Sequence, residues 1–303
     1  MKTSLDHLPH QRRRELERVV EIIHEEFERA HVLATSSLRK KGRILKIVLF
    51  GSYARGGWVD EPHTPGGYQS DYDLLIIVSH KKLTDVEYWY PADDRLIREP
   101  TIKPLVNFIV HSLEEVNAAL SEGQYFFSDI KTDGVLLYDL PGHHLADYKP
   151  LDPVDAHKVA KGHVKQWFKS ATEFVQGYED ALTRGNLNKA AFDLHQTVEH
   201  LYTALLTVLT NYRPNSHNIK FLRSLTEDLD QRLVDAWPRV HRRDRAAFEL
   251  LREAYVKARY SEHYEITKEQ LEWLGVCADR LRALTDEICN EHLASLKKAS
   301  EKS

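Results

Sequence analysis

The chain has 303 residues, a formal net charge of −4 and a sequence pI near 6.5. That near balance excludes a general nucleic-acid or membrane surface and leaves room only for local basic sites. Its cysteines, Cys277 and Cys289, make neither a disulfide framework nor a zinc pattern and read as reduced thiols. The opening MKTSLDHLPHQRRRELERVV carries charge where a signal peptide needs an apolar stretch, and no run is long and apolar enough to span a bilayer. A soluble cytoplasmic protein long enough for two domains is expected.

In chain order, Leu16, Val19, Val20, Ile23 and Phe27 recur at helical spacing and predict an amphipathic helix from about His10 to Ala30. ILKIVLF, Ile44 to Phe50, is a short β-branched apolar run ending at Gly51, which predicts a strand buried on both faces. A Gly- and Pro-rich loop, Gly56 to Gly67, leads to a second strand that opens at Asp71 as DYDLLIIV. PLVNFIVH, Pro104 to His111, predicts a third strand, Ser112 to Gly123 a helix, and GVLLYD, Gly134 to Asp139, a last short strand. The segment LPGHHLADYKPLDPVD punctuates the chain, and beyond it the periodicity is purely helical, with helices predicted at 153–184, 188–210, 217–234, 241–259 and 267–298. The expected architecture is an α+β domain with a short mixed sheet at 1–147, followed by an all-α bundle at 148–303.

The chemistry concentrates in IVLFGSYARG…SDYDLLIIV. Gly51 lets the backbone turn sharply and admits a phosphate closely. Ser52 offers a hydroxyl, and a helix opening there would offer backbone N–H groups to an anion. Alternation along the second strand puts Asp71 and Asp73 on one face and Tyr72 and Leu74 on the other. Two carboxylates so close repel, and a divalent cation between them relieves the repulsion. This combination suits metal-assisted phosphoryl or nucleotidyl transfer.

These residues resemble the polymerase-β-like nucleotidyltransferases, particularly the minimal and kanamycin-nucleotidyltransferase branches, over about residues 40–140. The resemblance implies that Gly51 and Ser52 contact nucleotide phosphates, that Asp71 and Asp73 bind Mg²⁺, and that Arg55 helps hold the loop or the nucleotide. GWVDEPHTPGGYQ makes the connection to the acidic strand longer than in the minimal enzymes; it reads as a substrate-facing lid or as a surface loop. Asn107 stands where the family supplies a third carboxylate, and Asn cannot act as a base. His111 shares the strand parity of Asn107, and Asp129 and Glu114 are further candidates for the missing role.

In the second half, Phe192, Leu194, Val198, Leu201 and Leu205 form a helical stripe with His195, Gln196, Glu199 and His200 among them. His195 and Glu199, one turn apart, read as a hydrogen-bonded core pair rather than a metal site. The FDLHQTVE stretch, the turn from Pro214 to His217, and ARYSEHY from Ala258 to Tyr264 together resemble the HEPN domain, over about residues 150–295. The resemblance implies a metal-independent ribonuclease pair, Arg259 steadying phosphate and His263 transferring a proton. Their spacing is one residue shorter than the usual motif. In paired toxin–antitoxin members the nucleotidyltransferase adenylylates a tyrosine near that histidine, which matches Tyr264 or Tyr260 here. Trp89, Tyr90, Trp167 and Phe168 read as packing residues, and the run from Val240 to Arg245 as a solvated basic helix start.

The expected activity is Mg²⁺-dependent transfer of AMP from ATP to a hydroxyl of protein tyrosine or RNA, in a homodimer with a toxin–antitoxin or defence role. Rival readings are a HEPN ribonuclease with Arg259 and His263 convergent on a groove, an aminoglycoside-type antibiotic nucleotidyltransferase with an acidic cleft, and a non-catalytic nucleotide-binding regulator, which Asn107 favours.

Overall fold

Every residue of strand β1 (Ile44–Phe50) and of strand β2 (Tyr72–Val78) is buried, so the continuous apolar runs in the sequence become strands covered on both faces. A computed structural model describes residues 1–33, 41–60 and 69–302. The two strands pair antiparallel, β3 (Val106–Ser112) lies parallel to β2, and β4 (Val135–Asp139) pairs antiparallel with β1, giving the order β3-β2-β1-β4. Lys46 interrupts the apolar character of β1, and its ammonium is neutralised by Asp139 on the neighbouring strand. Helix α1 (His10–Leu33) sets Leu16, Val19, Ile22, Ile23 and Phe27 into the same apolar cluster as Ile47, Leu49, Leu74 and Ile76.

Helix α2 (Gly51–Arg55) starts directly at the end of β1, with Gly51 at φ 73° and Gly56 closing it in the left-handed region. Helix α3 (Val86–Arg98) escapes a reading by periodicity because Pro91 lies inside it. Asp85 caps its start, and Tyr88, Trp89, Ala92 and Leu96 are buried. Trp89 is therefore a packing residue, with Nε1 donating to the Leu83 carbonyl at 2.6 Å. Tyr90 is 66% exposed, contrary to a packing role. Helix α4 (Leu113–Ser121) begins with a full capping box between Ser112 and Glu115. Helix α5 (Tyr125–Asp133), also unforeseen, buries Phe126, Phe127 and Ile130.

Gly134 ends α5 and begins β4 with no room for a side chain. A Cβ there would lie 2.7 Å from Val48 Cγ1 and closer still to the Ile130 carbonyl oxygen.

The chain separates into two compact units, with Pro150 closing the first and Leu151 opening the helical part of the second. The helical part comprises α6 (Pro153–Thr183), α7 (Leu187–Thr210), α8 (Ile219–Leu229), a 3₁₀ turn (Gln231–Ala236), α9 (Arg242–Tyr260) and α10 (Lys268–Ser300). The helix expected at 217–234 stops at Leu229, because Asp230 turns extended and caps the 3₁₀ segment by accepting from the Arg232 N–H. α7 is the hub: it packs against α6, α8, α9 and α10 and is buried along most of its length. Tyr202 on α7 accepts from Trp237 Nε1 at 2.8 Å. Cys277 and Cys289 are buried in α10, and burial pushes their thiols up to about 11 and about 12, so both are poor nucleophiles at neutral pH. Among the described residues no helix is long and apolar enough to cross a membrane.

Gly134→Ala is expected to destabilise the protein by about 1–3 kcal/mol, the cost of overpacking a filled site. Chemical denaturation of the variant against the parent protein checks this; an unchanged midpoint would contradict the close approach of α5, β1 and β4.

Candidate functional site

The strand register assembles the first site. Phe50, the residue before Gly51, lies opposite Asp73, and Asp73 lies opposite Asn107. The Gly51–Ser52 turn, the acidic start of β2 and the start of β3 therefore share one end of the sheet. Asp71 and Asp73 are 7% and 1% exposed. The Asn107 side chain reaches both, its Nδ2 donating to Asp71 Oδ2 at 3.3 Å and to Asp73 Oδ1 at 3.2 Å. An amide with two N–H groups thus bridges two carboxylates where a third carboxylate would repel them.

Tyr72 faces the other way, as the alternation requires. Its hydroxyl donates to Glu15 Oε2 at 2.8 Å, and Arg12 pairs with the same Glu15 oxygen at 2.7 Å while its other nitrogen reaches Asp60. Burial and the Glu15 bond push the Tyr72 phenol far above its ordinary range. Asp60 also begins the long connection, whose ends are held together by an antiparallel bridge to Gln69 and by the Ser70 N–H donating to the Val59 carbonyl at 2.8 Å. The expectation of a lid or surface loop falls largely on residues 61–68, outside the described residues.

Arg55 closes α2 and meets Asp129 of α5 at 3.3 Å. Burial raises the Asp129 carboxyl, and the Arg55 charge opposes that rise. Of the three candidates for the missing third carboxylate, Asp129 is the one joined to the turn, and it reaches Arg55 rather than the aspartate pair. His111 lies opposite Ile77, four residues further along β3 than Asn107. Its ring packs on Phe127 at 5.3 Å and burial depresses its pKa, so it is a packing histidine. Glu114 is exposed in the first turn of α4. Two supports of the turn left no motif in the sequence: His7 Nε2 hydrogen-bonds the Tyr53 carbonyl at 2.8 Å, and Lys2 Nζ donates to the Ala54 carbonyl at 3.4 Å.

In the helical unit, Arg259 lies in the last turn of α9 and His263 follows in an exposed turn. Among the described residues no hydrogen bond joins them: Arg259 Nε donates to the Tyr255 carbonyl at 2.6 Å, and the His263 backbone N–H donates to Ser261 Oγ at 3.3 Å. The two tyrosines separate clearly. Tyr264 is 6% exposed and donates its hydroxyl to the Leu250 carbonyl at 2.9 Å, whereas Tyr260 is 76% exposed.

A polar cluster lies in the centre of α7. The Glu199 carboxylate, 2% exposed, receives Gln196 Nε2 at 2.9 Å and His217 Nδ1 at 3.0 Å. His217 stacks on Tyr255 at 4.1 Å. His195, fully buried, has Nδ1 3.8 Å from Glu199 and an unpartnered Nε2. Desolvation, with a smaller contribution from His217, lowers its pKa to about 3. The proximity of His195 and Glu199 was readable from their spacing, but the expected hydrogen bond between them is not formed: Gln196 Nε2 lies between them, 3.2 Å from His195 Nδ1 and 2.9 Å from Glu199 Oε2, and the part of His217, which arrives from α8's leading turn, left no such signal.

Comparison with known proteins found two similarities. A chain named "Putative protein adenylyltransferase", from Methanocaldococcus jannaschii, is 34% identical over 100 residues, covering 32% of this chain and 82% of that relative. Residues 164–288 match the HEPN domain. The chain belongs to the polymerase-β-like nucleotidyltransferases that carry a HEPN domain. In this nucleotidyltransferase–HEPN protein the turn at Gly51, the aspartate pair and Asn107 lie in the first unit, and the His195–Glu199–His217 cluster lies within the HEPN match.

The depressed pKa of His195 has a sign that can be tested. Below pH 6.5, its ordinary value, the unfolded chain binds a proton that the folded site refuses until about pH 3. Stability therefore falls as pH falls through that window, by up to about 1.4 kcal/mol per pH unit from this group. His195→Gln is expected to flatten the dependence, read as the difference in urea midpoint between pH 7 and pH 5. An unchanged slope would show that His195 is protonated in the folded state.

Proposed function

We propose that this protein transfers AMP from ATP to the hydroxyl of a protein tyrosine, with Mg²⁺ held by Asp71 and Asp73. One observation carries the reading: the register sets two buried carboxylates beside the Gly51–Ser52 turn at one end of the sheet. Among the described residues no group of three His, Cys, Asp or Glu forms a metal cage. The donor set fits Mg²⁺ nonetheless, since that ion is commonly held by one or two carboxylates together with substrate phosphates. When bound, it would neutralise the charge that develops on the phosphate oxygens. Ser52 and the Gly51 backbone would cradle the phosphates, and Arg55, steadied by Asp129, would meet their outer charge.

In the reaction the acceptor oxygen bonds to the α-phosphorus, the bond to pyrophosphate breaks, and the acceptor proton leaves for solvent. Asn107 bears on the choice of acceptor. A neutral amide cannot take that proton, so an acceptor of low intrinsic pKa is favoured. A phenol, with pKa about 10, meets this need better than an aliphatic or ribose hydroxyl. Tyr260 is the candidate acceptor within this chain, because it is exposed where Tyr264 is buried. Addition of AMP there would place a new negative charge beside Arg259, a regulatory use in keeping with a toxin–antitoxin role.

Incubation with α-³²P-ATP and Mg²⁺ tests the proposal. Label is expected on the protein, reduced at least ~100-fold by Asp73→Asn, the order of loss for removing a charged group that acts in the transition state. Tyr260→Phe is expected to abolish labelling and Tyr264→Phe to leave it. Label on added RNA alone would move the acceptor to a ribose hydroxyl. ATP binding with no transfer would make the domain a non-catalytic nucleotide sensor.

A further inference from the structure

The first unit holds a cavity of about 600 Å³ at the end of the sheet away from the aspartate pair, where α1 ends and β1 begins. Ile44 lies on its wall, whereas Phe50, at the other end of β1, lies opposite Asp73. The length of β1, about 20 Å at the usual rise per residue, therefore separates the two sites. Phe27, Ile44 and Leu140 make the walls apolar, and Tyr138 adds a ring. Into this lining α1 brings His24 and His31. The His24 ring meets the Tyr138 ring edge-on at 4.4 Å, and His31 Nδ1 is joined to the Tyr88 hydroxyl at 2.7 Å. Each imidazole leaves its Nε2 buried with no hydrogen-bond partner among the described residues. Folded chains rarely leave buried polar atoms so, and two of them on one cavity point to a ligand that partners both.

The spacing and charge of the lining define that ligand. The two histidines are seven residues apart, about 10 Å along the helix axis. They cannot share one metal ion, which holds imidazole nitrogens at about 2.0–2.1 Å, so a molecule with a polar group at each end suits them better. Tyr138, against which His24 packs, lies opposite Ile47 within the sheet, so His24 marks the deep end. Lys41 and Arg43 precede Ile44 and mark the mouth; both are exposed, and among the described residues neither forms an ion pair. Glu28 is the carboxylate among the described lining residues, and two cations against one anion leave the mouth net positive. Burial lowers the His24 pKa, with the Glu28 charge opposing that fall, so its imidazole is neutral at pH 7 and suits a hydroxyl better than a second anion. When the Tyr88 hydroxyl donates to His31 Nδ1, the ring proton sits on Nε2, where a carboxylate can accept it. The volume falls in the range of about 300–1,000 Å³ typical of small-ligand sites, and the aromatic walls favour a flat ring.

We infer that this cavity binds a small aromatic carboxylic acid with a ring hydroxyl: the carboxylate on Lys41, Arg43 and His31 Nε2, the ring against Phe27 and Tyr138, and the hydroxyl on His24 Nε2. The site stands apart from the Gly51–Ser52 turn and needs neither metal nor nucleotide.

Calorimetric titration of the full chain, without nucleotide or divalent ions, tests it. The hydroxy acid para-hydroxyphenylpropionate is expected to bind at one site per chain. The phenol para-ethylphenol, which lacks the carboxylate, should bind at least ~10-fold more weakly, because the charge-assisted bonds are lost. Phenylpropionate, which lacks the hydroxyl, should bind about 2- to 10-fold more weakly, the worth of one hydrogen bond. Lys41→Ala combined with Arg43→Ala should weaken the hydroxy acid at least ~10-fold. Both residues are exposed, so the variant should fold, with circular dichroism as the control. His24→Leu should erase the preference for the hydroxy acid over phenylpropionate while phenylpropionate still binds. Failure of the hydroxy acid to bind, or binding that the Lys41 and Arg43 changes leave intact, overturns the inference. Equal binding of the two acids by the parent protein overturns the hydroxyl contact and with it the ligand class.

Discussion

Two like charges at Asp71 and Asp73, nearly excluded from water, are the constraint around which the first unit is organised. Their repulsion is tolerable only where neighbouring groups compensate it, and the sheet provides such a neighbour by register. Asp73 sits directly between Phe50 and Asn107 across three strands, so one amide can donate to both carboxylates. The opposite face of the same strand is held by the Tyr72–Glu15–Arg12 chain of bonds, which ties α1 to the start of β2. A one-residue slip of β2 would exchange these faces, sending Tyr72 to the site and the aspartates into the α1 core. The register is therefore fixed by polar bonds at the strand start as well as by the apolar residues that follow.

The helical unit meets a comparable demand in a different way. α7 buries Asp193, His195, Gln196 and Glu199 within about two turns, and a helix cannot satisfy these groups from its own backbone. Side chains supply the partners, Lys189 and Gln196 from neighbouring turns of α7 for Asp193 and Glu199, and His217 from outside the helix for Glu199. His195 is kept neutral by desolvation. Tyr255 links the cluster to the surface, since His217 stacks on its ring and Arg259 lies over it. An ordered interior and an oriented surface cation thus depend on one aromatic side chain.

Much of the fold was legible in particular runs of residues. ILKIVLF was legible as a doubly covered strand, because a continuous β-branched apolar run has no solvated face, and DYDLLIIV was legible as a strand. The long helices of the second unit were readable from their apolar stripes. α3 was not, because Pro91 breaks the helical rule that its surroundings obey, and tertiary burial of Tyr88, Trp89 and Leu96 outweighs the lost hydrogen bond. α5 is too short for its period to stand out, and its Phe126–Phe127 pair reads equally well as strand.

The candidate site divides along the same line. Alternation places Asp71 and Asp73 together from local geometry alone, and Asn107 shows in the sequence as a departure from a carboxylate. That Asn107 bridges both aspartates depends on pairing between β2 and β3, strands separated by α3. Tyr260 and Tyr264 are equivalent in a linear motif; packing beneath α9 exposes one and buries the other. Arg259 and His263 are close in sequence yet take different hydrogen-bond partners, Tyr255 and Ser261, while His217 reaches Glu199 from 18 residues away. The sequence by itself determined which chemical groups are present and which face of a strand or helix each occupies, since those follow from the two periodicities of the backbone. Only the tertiary structure decided which groups meet, because contacts between elements depend on register and packing that no local period encodes.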